Sequence, residues 1–75
     1  MDITQIGSLL LKYGEIYLLD DFEEIAVRLT LSEGRTIAHL KHKGNGEVSI
    51  SQSEKVVFDV KLGGELISKE VYEAY

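Results

Sequence analysis

From residue 15 onward, the sequence is dominated by runs in which every second residue is apolar. The runs cover residues 16–18, 25–31 and 56–62. This period of two is typical of strands that bury one face of an antiparallel sheet. Because a shift of one residue would move every apolar side chain to the other face, the loops must have lengths that keep the apolar residues of paired strands on one side. The pattern therefore constrains the pairing as well as the strands.

Four hairpin loops satisfy this condition, at residues 20–23, 33–34, 44–46 and 53–55. In the loop at 44–46, we expect Gly46 to take the left-handed position. The predicted pairs are Leu18 with Ile25, Leu29 with Ala38, Leu40 with Ile50, and Ile50 with Phe58. One continuous meander of about five strands results.

The segment before the strands has the spacing of a helix. Apolar residues recur three or four apart over residues 3–13. Asp2 and Gln5 stand at the N-cap and N3 positions of a capping box, and Gly14 is suited to end the helix. We therefore predict an N-terminal helix that packs on the apolar face of the sheet.

The last segment, 65–75, also favours a short helix. Ile67, Val71 and Tyr75 lie four residues apart, and Ser68 is a suitable N-cap. Leu66 and Ile67 could instead complete a strand. The predicted fold is α+β, a single domain over 1–75, with an antiparallel meander and both helices on one face; a small curled β-barrel is the alternative.

Size and composition argue against an enzyme. A chain of 75 residues buries only about 60% of its surface on folding, which favours one core and disfavours a deep catalytic cavity. The sequence has no cysteine, and His39 and His42 are three apart on a predicted strand, so they point to opposite faces. We therefore expect no enzyme activity, no cofactor and no metal, and we expect a cytoplasmic location.

The apolar runs are also too short for a membrane. The longest cover residues 9–11 and 16–19, whereas a spanning helix needs about 20 apolar residues. No membrane association is expected.

Charge is distributed unevenly along the chain. The net charge is −5 overall, but residues 28–61 carry six basic residues against four acidic ones. The predicted pairing places four of these six basic residues on the polar face of the sheet, together with one histidine and one aromatic residue. This basic sheet face is predicted to contain Tyr17, Arg28, His39, Lys41, Lys43 and Lys61.

A second charged feature is the loop between the first two strands. Four carboxylates surround one aromatic residue there, in the order Asp20, Asp21, Phe22, Glu23 and Glu24. Carboxylates grouped in this way can engage a basic partner, including a site that otherwise holds phosphates. Phe22 then serves either as an apolar anchor or as a core residue packed beneath the loop.

These features favour a small acidic protein that binds another protein and acts as a regulator or inhibitor. In composition alone, such a chain is similar to phage accessory and antitoxin-like proteins. The alternative is a nucleic-acid-binding subunit that uses the basic sheet face, as a single chain or an oligomer. A homo-oligomer joined through open strand edges is a third hypothesis.

Overall fold

The computed structural model of the protein describes residues 2–75. Its N-terminal helix, α1 (Ile3–Tyr13), begins and ends as predicted. Asp2 accepts hydrogen bonds from two backbone N–H groups of the first turn, and the Gln5 side chain accepts one from the Asp2 N–H, which completes the capping box. Gly14 ends the helix at φ 77°, a left-handed conformation that costs glycine little.

Five antiparallel strands form one open sheet, so the β-barrel alternative is wrong. They are β1 (Glu15–Asp20), β2 (Ile25–Ser32), β3 (Arg35–His42), β4 (Val48–Ile50) and β5 (Glu65–Ile67). Their order across the sheet is β4-β3-β2-β1-β5. The first four strands form the predicted meander, whereas β5 pairs with the outer edge of β1.

The central hairpin has the predicted register. Leu29 pairs with Ala38, and Glu33 and Gly34 form the turn at φ 51° and 75°. Positive φ at both central residues is the geometry of a type I′ turn, whose twist matches that of the strands.

The two flanking hairpins keep the predicted faces but differ in register. Leu18 pairs with Val27, where the sequence predicts Ile25. Leu40 pairs with Val48, where the sequence predicts Ile50. In the third hairpin, Gly44 takes the left-handed conformation at φ 80° that the sequence predicts for Gly46. The N–H of Gly44 also donates to the Tyr75 carbonyl oxygen, which fixes this end of the loop to the end of the chain.

The segment predicted as the fifth strand, 56–62, lies within a helix, α2 (Lys55–Gly63). It buries Val57 and Val60, which are three residues apart, and leaves Phe58 51% exposed. Alternation over a short run does not by itself separate a strand from a helix. The apolar face of the sheet needs a cover, and α2 supplies it beside α1.

The C-terminal helix, α3 (Lys69–Ala74), begins at the predicted N-cap Ser68, whose hydroxyl accepts from the N–H of Val71. It lies on the face of the sheet opposite α1 and α2, so its predicted place on the same face is wrong. Tyr72 faces the sheet and packs against Tyr17, whereas Val71 is 48% exposed. The reason is β5, which carries the chain along the sheet edge before α3 begins.

Gly64, between α2 and β5, lies where two backbones come close. A Cβ at this position would be 2.6 Å from the Val60 carbonyl oxygen and 3.0 Å from that of Leu19. Both distances are below ordinary contact, so this junction requires glycine.

The main core lies between the sheet and the pair α1 and α2. It consists of Ile6, Leu10, Ile16, Leu18, Ile25, Val27, Leu29, Ala38, Leu40, Val57 and Val60. The smaller cluster on the opposite face contains Tyr17, Ala26 and Tyr72. Within residues 2–75, no helix is both long and apolar enough to cross a bilayer.

Candidate functional site

The polar face of the sheet, beneath α3, carries a network of hydrogen-bonded side chains. We call it the network face; its members are Glu15, Tyr17, Arg28, Thr30, Lys41, Glu47 and Tyr72. Cross-strand pairing places its sheet residues on one side, and α3 contributes Tyr72.

Arg28 lies at the centre of this network. Its Nε and Nη2 donate to the two carboxylate oxygens of Glu47 at 2.9 and 2.7 Å, and its Nη1 donates to Glu15 at 2.9 Å. The Tyr72 hydroxyl donates to Glu47 at 2.6 Å. Chiefly because of the Arg28 hydrogen bonds, the pKa of Glu47 falls to about 2, and the pKa of Arg28 rises.

A second branch of the network joins Glu15 to its neighbours. The Tyr17 and Thr30 hydroxyls both donate to Glu15. Burial, together with the Glu15 carboxylate, raises the pKa of Tyr17 to about 12. The Tyr17 and Tyr72 rings pack with centroids 5.2 Å apart. Burial and the Glu47 hydrogen bond also raise the pKa of Tyr72, so both phenols stay protonated donors at neutral pH.

Lys41 fixes the end of α3. Its side chain is buried, and its ammonium donates to the carbonyl oxygens of Tyr72 and Glu73, each at 3.0 Å. A cation is favoured there because the last carbonyl groups of a helix carry partial negative charge. Lys41 is thus engaged inside the molecule.

The six residues predicted for the basic sheet face therefore do not form one basic surface. Arg28 and Lys41 are bonded within the fold, and Lys61 lies on α2, so its predicted place on the sheet is wrong. His39 pairs with Arg28 across the strands, and Lys43 is exposed 3.9 Å from Glu24. Tyr17 lies beneath α3.

Among residues 2–75, His39 Nδ1 and the Tyr75 hydroxyl are buried polar atoms that lack a hydrogen-bond partner.

The loop between β1 and β2 has the opposite character. We call Asp20, Asp21, Phe22, Glu23 and Glu24 the acidic hairpin tip. Asp20 Oδ1 accepts a hydrogen bond from the Glu23 N–H at 3.2 Å, and Glu24 ends the turn at φ 55°. Phe22 is 93% exposed, so the expectation that it packs beneath the loop is wrong.

A groove of about 460 Å³ runs beside the tip, between the start of β2 and one side of α2. Its apolar lining is Ile25, Val56 and Val60, and its charged lining is Asp20, Glu23, Lys55 and Asp59. Lys55 Nζ bonds to Asp59 at 2.9 Å. The groove thus combines an apolar floor with three carboxylates and one ammonium.

Sequence reasoning missed the parts of these sites that come from distant segments. Glu47 lies just before β4 and bonds to Arg28 on β2, two strands away in the sheet, so no local pattern predicts this pair. No local sequence pattern identifies Tyr72 as a member of the network, because its contacts depend on which face of the sheet α3 covers. The groove was missed because it requires α2 to be a helix.

Comparisons with known proteins find no matching family model, no matching curated protein and no matching solved structure. The described part of the chain also contains no cluster of three or more His, Cys, Asp or Glu side chains that could hold a metal ion.

Proposed function

We propose that the protein is a non-enzymatic interaction module that binds a basic surface of another protein through its acidic hairpin tip. The exposure of Phe22 carries this proposal. A phenylalanine that is 93% exposed at the end of a hairpin contributes little to the fold of its own chain. Aromatic residues are among the side chains that contribute most when they are buried at a protein interface.

The charges around Phe22 support a basic partner. The four carboxylates of the tip are exposed or half-buried, and the ammonium nearest to Glu24 is 3.9 Å away, on an exposed lysine. Charges arranged around an apolar anchor speed association and select the partner, because complementary potentials steer the encounter. This arrangement fits a partner with a cationic rim around an apolar pocket.

In this proposal, the protein acts as a regulator or inhibitor by occupying the partner's basic site. Asp21, Phe22, Glu23 and Glu24 are all exposed, so a basic site on a partner can contact them directly. A basic site built for phosphates would accept its carboxylates. Because the sequence contains no cysteine and needs no oxidising compartment, we propose the cytoplasm as its location.

Affinity capture with matched variants tests the proposal. The tip variant carries Asp21→Lys and Glu24→Lys, which spares Asp20 because its carboxylate holds the turn. The control carries Glu54→Lys and Glu65→Lys at exposed positions outside the tip, with the same change in net charge. A third variant, Phe22→Ser, removes the aromatic anchor.

Native lysate is divided into nuclease-treated and untreated portions before capture. We expect the same protein to bind the wild type and the control in both portions, and to be reduced at least about tenfold by the tip variant and by Phe22→Ser. A partner that all variants retain equally would refute the proposal. Partners lost on nuclease treatment would instead support the nucleic-acid alternative.

A further inference from the structure

The groove beside the acidic hairpin tip has a lining that matches one kind of side chain. Its floor is formed by the apolar residues Ile25, Val56 and Val60, and its rim includes Asp20, Glu23 and Asp59. An apolar floor favours a side chain with a long aliphatic stem. Carboxylates from both the β1–β2 hairpin and α2 favour a cationic end.

We infer that this groove binds an arginine side chain of the partner, an inference that rests on the proposed function. Lysine and arginine both have aliphatic stems that pack on apolar surface while the charged end stays at a polar rim. Arginine fits better here because its planar guanidinium has five N–H donors and can serve two carboxylates at once. The ammonium of lysine is a compact point charge.

The volume of the groove agrees with such an occupant. At about 460 Å³, it falls within the range of roughly 300–1,000 Å³ of pockets that bind small ligands. It is large enough for one arginine side chain with the backbone on either side of it.

Lys55 provides a direct test of this inference, because its ammonium is already bonded to Asp59, one of the carboxylates that would bind the guanidinium. Its ammonium bonds to Asp59 Oδ2 at 2.9 Å, yet its side chain is 88% exposed. An incoming guanidinium would compete with this exposed ammonium for Asp59. Removing Lys55 should therefore strengthen arginine binding, whereas removing the Asp59 charge should weaken it.

The experiment is a titration of the whole isotope-labelled protein followed by NMR, with an arginine hexapeptide and a lysine hexapeptide as probes. Both probes carry the same charge, and the salt is about 100 mM to screen non-specific attraction. We expect the arginine peptide to bind at least about threefold more tightly than the lysine peptide. Its largest amide shifts should lie at Ile25, Val56 and Val60.

Three variants complete the test. Lys55→Ala should strengthen binding of the arginine peptide about two- to threefold, and Glu23→Gln with Asp59→Asn should weaken it at least about fivefold. The matched control, Glu65→Gln with Glu70→Gln, removes the same charge at exposed positions outside the groove and should weaken binding less than about twofold.

Equal affinity for the two peptides, or equal loss in the groove and control variants, would overturn the inference. Either result would mean that the region attracts cations without recognising arginine. The two proposals can be distinguished, because the test of the proposed function changes Asp21, Phe22 and Glu24, which do not line the groove. A partner that needs Asp21, Phe22 and Glu24 but is unaffected by Glu23→Gln with Asp59→Asn would therefore refute only the present inference.

Discussion

The network face and the acidic hairpin tip both concentrate charge, but they differ in where that charge is satisfied. On the network face, Arg28 joins two carboxylates, and Lys41 bonds to the end of α3. At the tip, Asp21, Glu23 and Glu24 are exposed on either side of Phe22. The charges of the network face therefore hold the fold together, and those of the tip remain available to a partner.

The difference has a simple structural cause. Side chains on neighbouring strands lie about 5 Å apart, so opposite charges on one face of a sheet readily meet. Side chains in a loop have no cross-strand partner held at this distance by backbone pairing. Charge on a sheet is thus more readily paired within the molecule than charge on a loop, whatever the net charge of the chain.

Glu47 should show the largest contribution of the network face to stability. Glu47→Gln keeps the shape of the side chain but removes the charge bonded to Arg28 and Tyr72. We expect it to lower the free energy of unfolding at pH 7 by about 1–3 kcal/mol, because hydrogen bonds to charged groups contribute about that much. Urea denaturation measures the change.

The pH dependence of this effect has a definite sign. The pKa of Glu47 is lowered in the folded protein from 4.5 to about 2, so its stabilising effect is complete above pH 4.5 and is lost as the pH falls toward 2. The difference between wild type and Glu47→Gln should therefore shrink over that range. Asp21→Asn at the tip is the control, and a difference that stays constant down to pH 2 would contradict the assignment.

The sequence was sufficient where short-range rules decide the structure. Asp2, Gln5 and Gly14 specify both ends of α1, and Glu33 with Gly34 specifies the central turn. These predictions depend on residues within a few positions of one another. The α+β class follows from the same local patterns.

The sequence was insufficient where distant segments compete. Val56 to Val60 alternate in a way that suits a strand, but the exposed apolar face of the sheet makes a helix the better cover. The alternation of residues along paired strands correctly predicts that Arg28 and Lys41 share one face of the sheet. It does not predict that α3 covers that face. The tip was recognised by its composition, whereas the exposure of Phe22 required the structure.

Lys41 offers a second, smaller test of the comparison. Lys41→Met keeps much of the apolar stem and removes the two hydrogen bonds to the end of α3. We expect a loss of about 1–2 kcal/mol and faster hydrogen exchange at the amides of α3, with the β2–β3 amides changed less. The matched control is Lys43→Met, since Lys43 is exposed and lies 3.9 Å from Glu24. Equal exchange in both variants would show that Lys41 does not hold α3.

The smallest expected effect on stability is at the tip. Phe22→Ser removes a side chain that is 93% exposed, so the free energy of unfolding should change by less than about 0.5 kcal/mol. Phe58→Ser is the useful contrast: Phe58 is 51% exposed and still buries about half of its surface, so it should cost more. Thermal and urea unfolding of both variants measure the difference. A large loss in Phe22→Ser would mean that the ring supports its own fold, and the distinction between a face that stabilises and a tip that binds would then fail at its central residue.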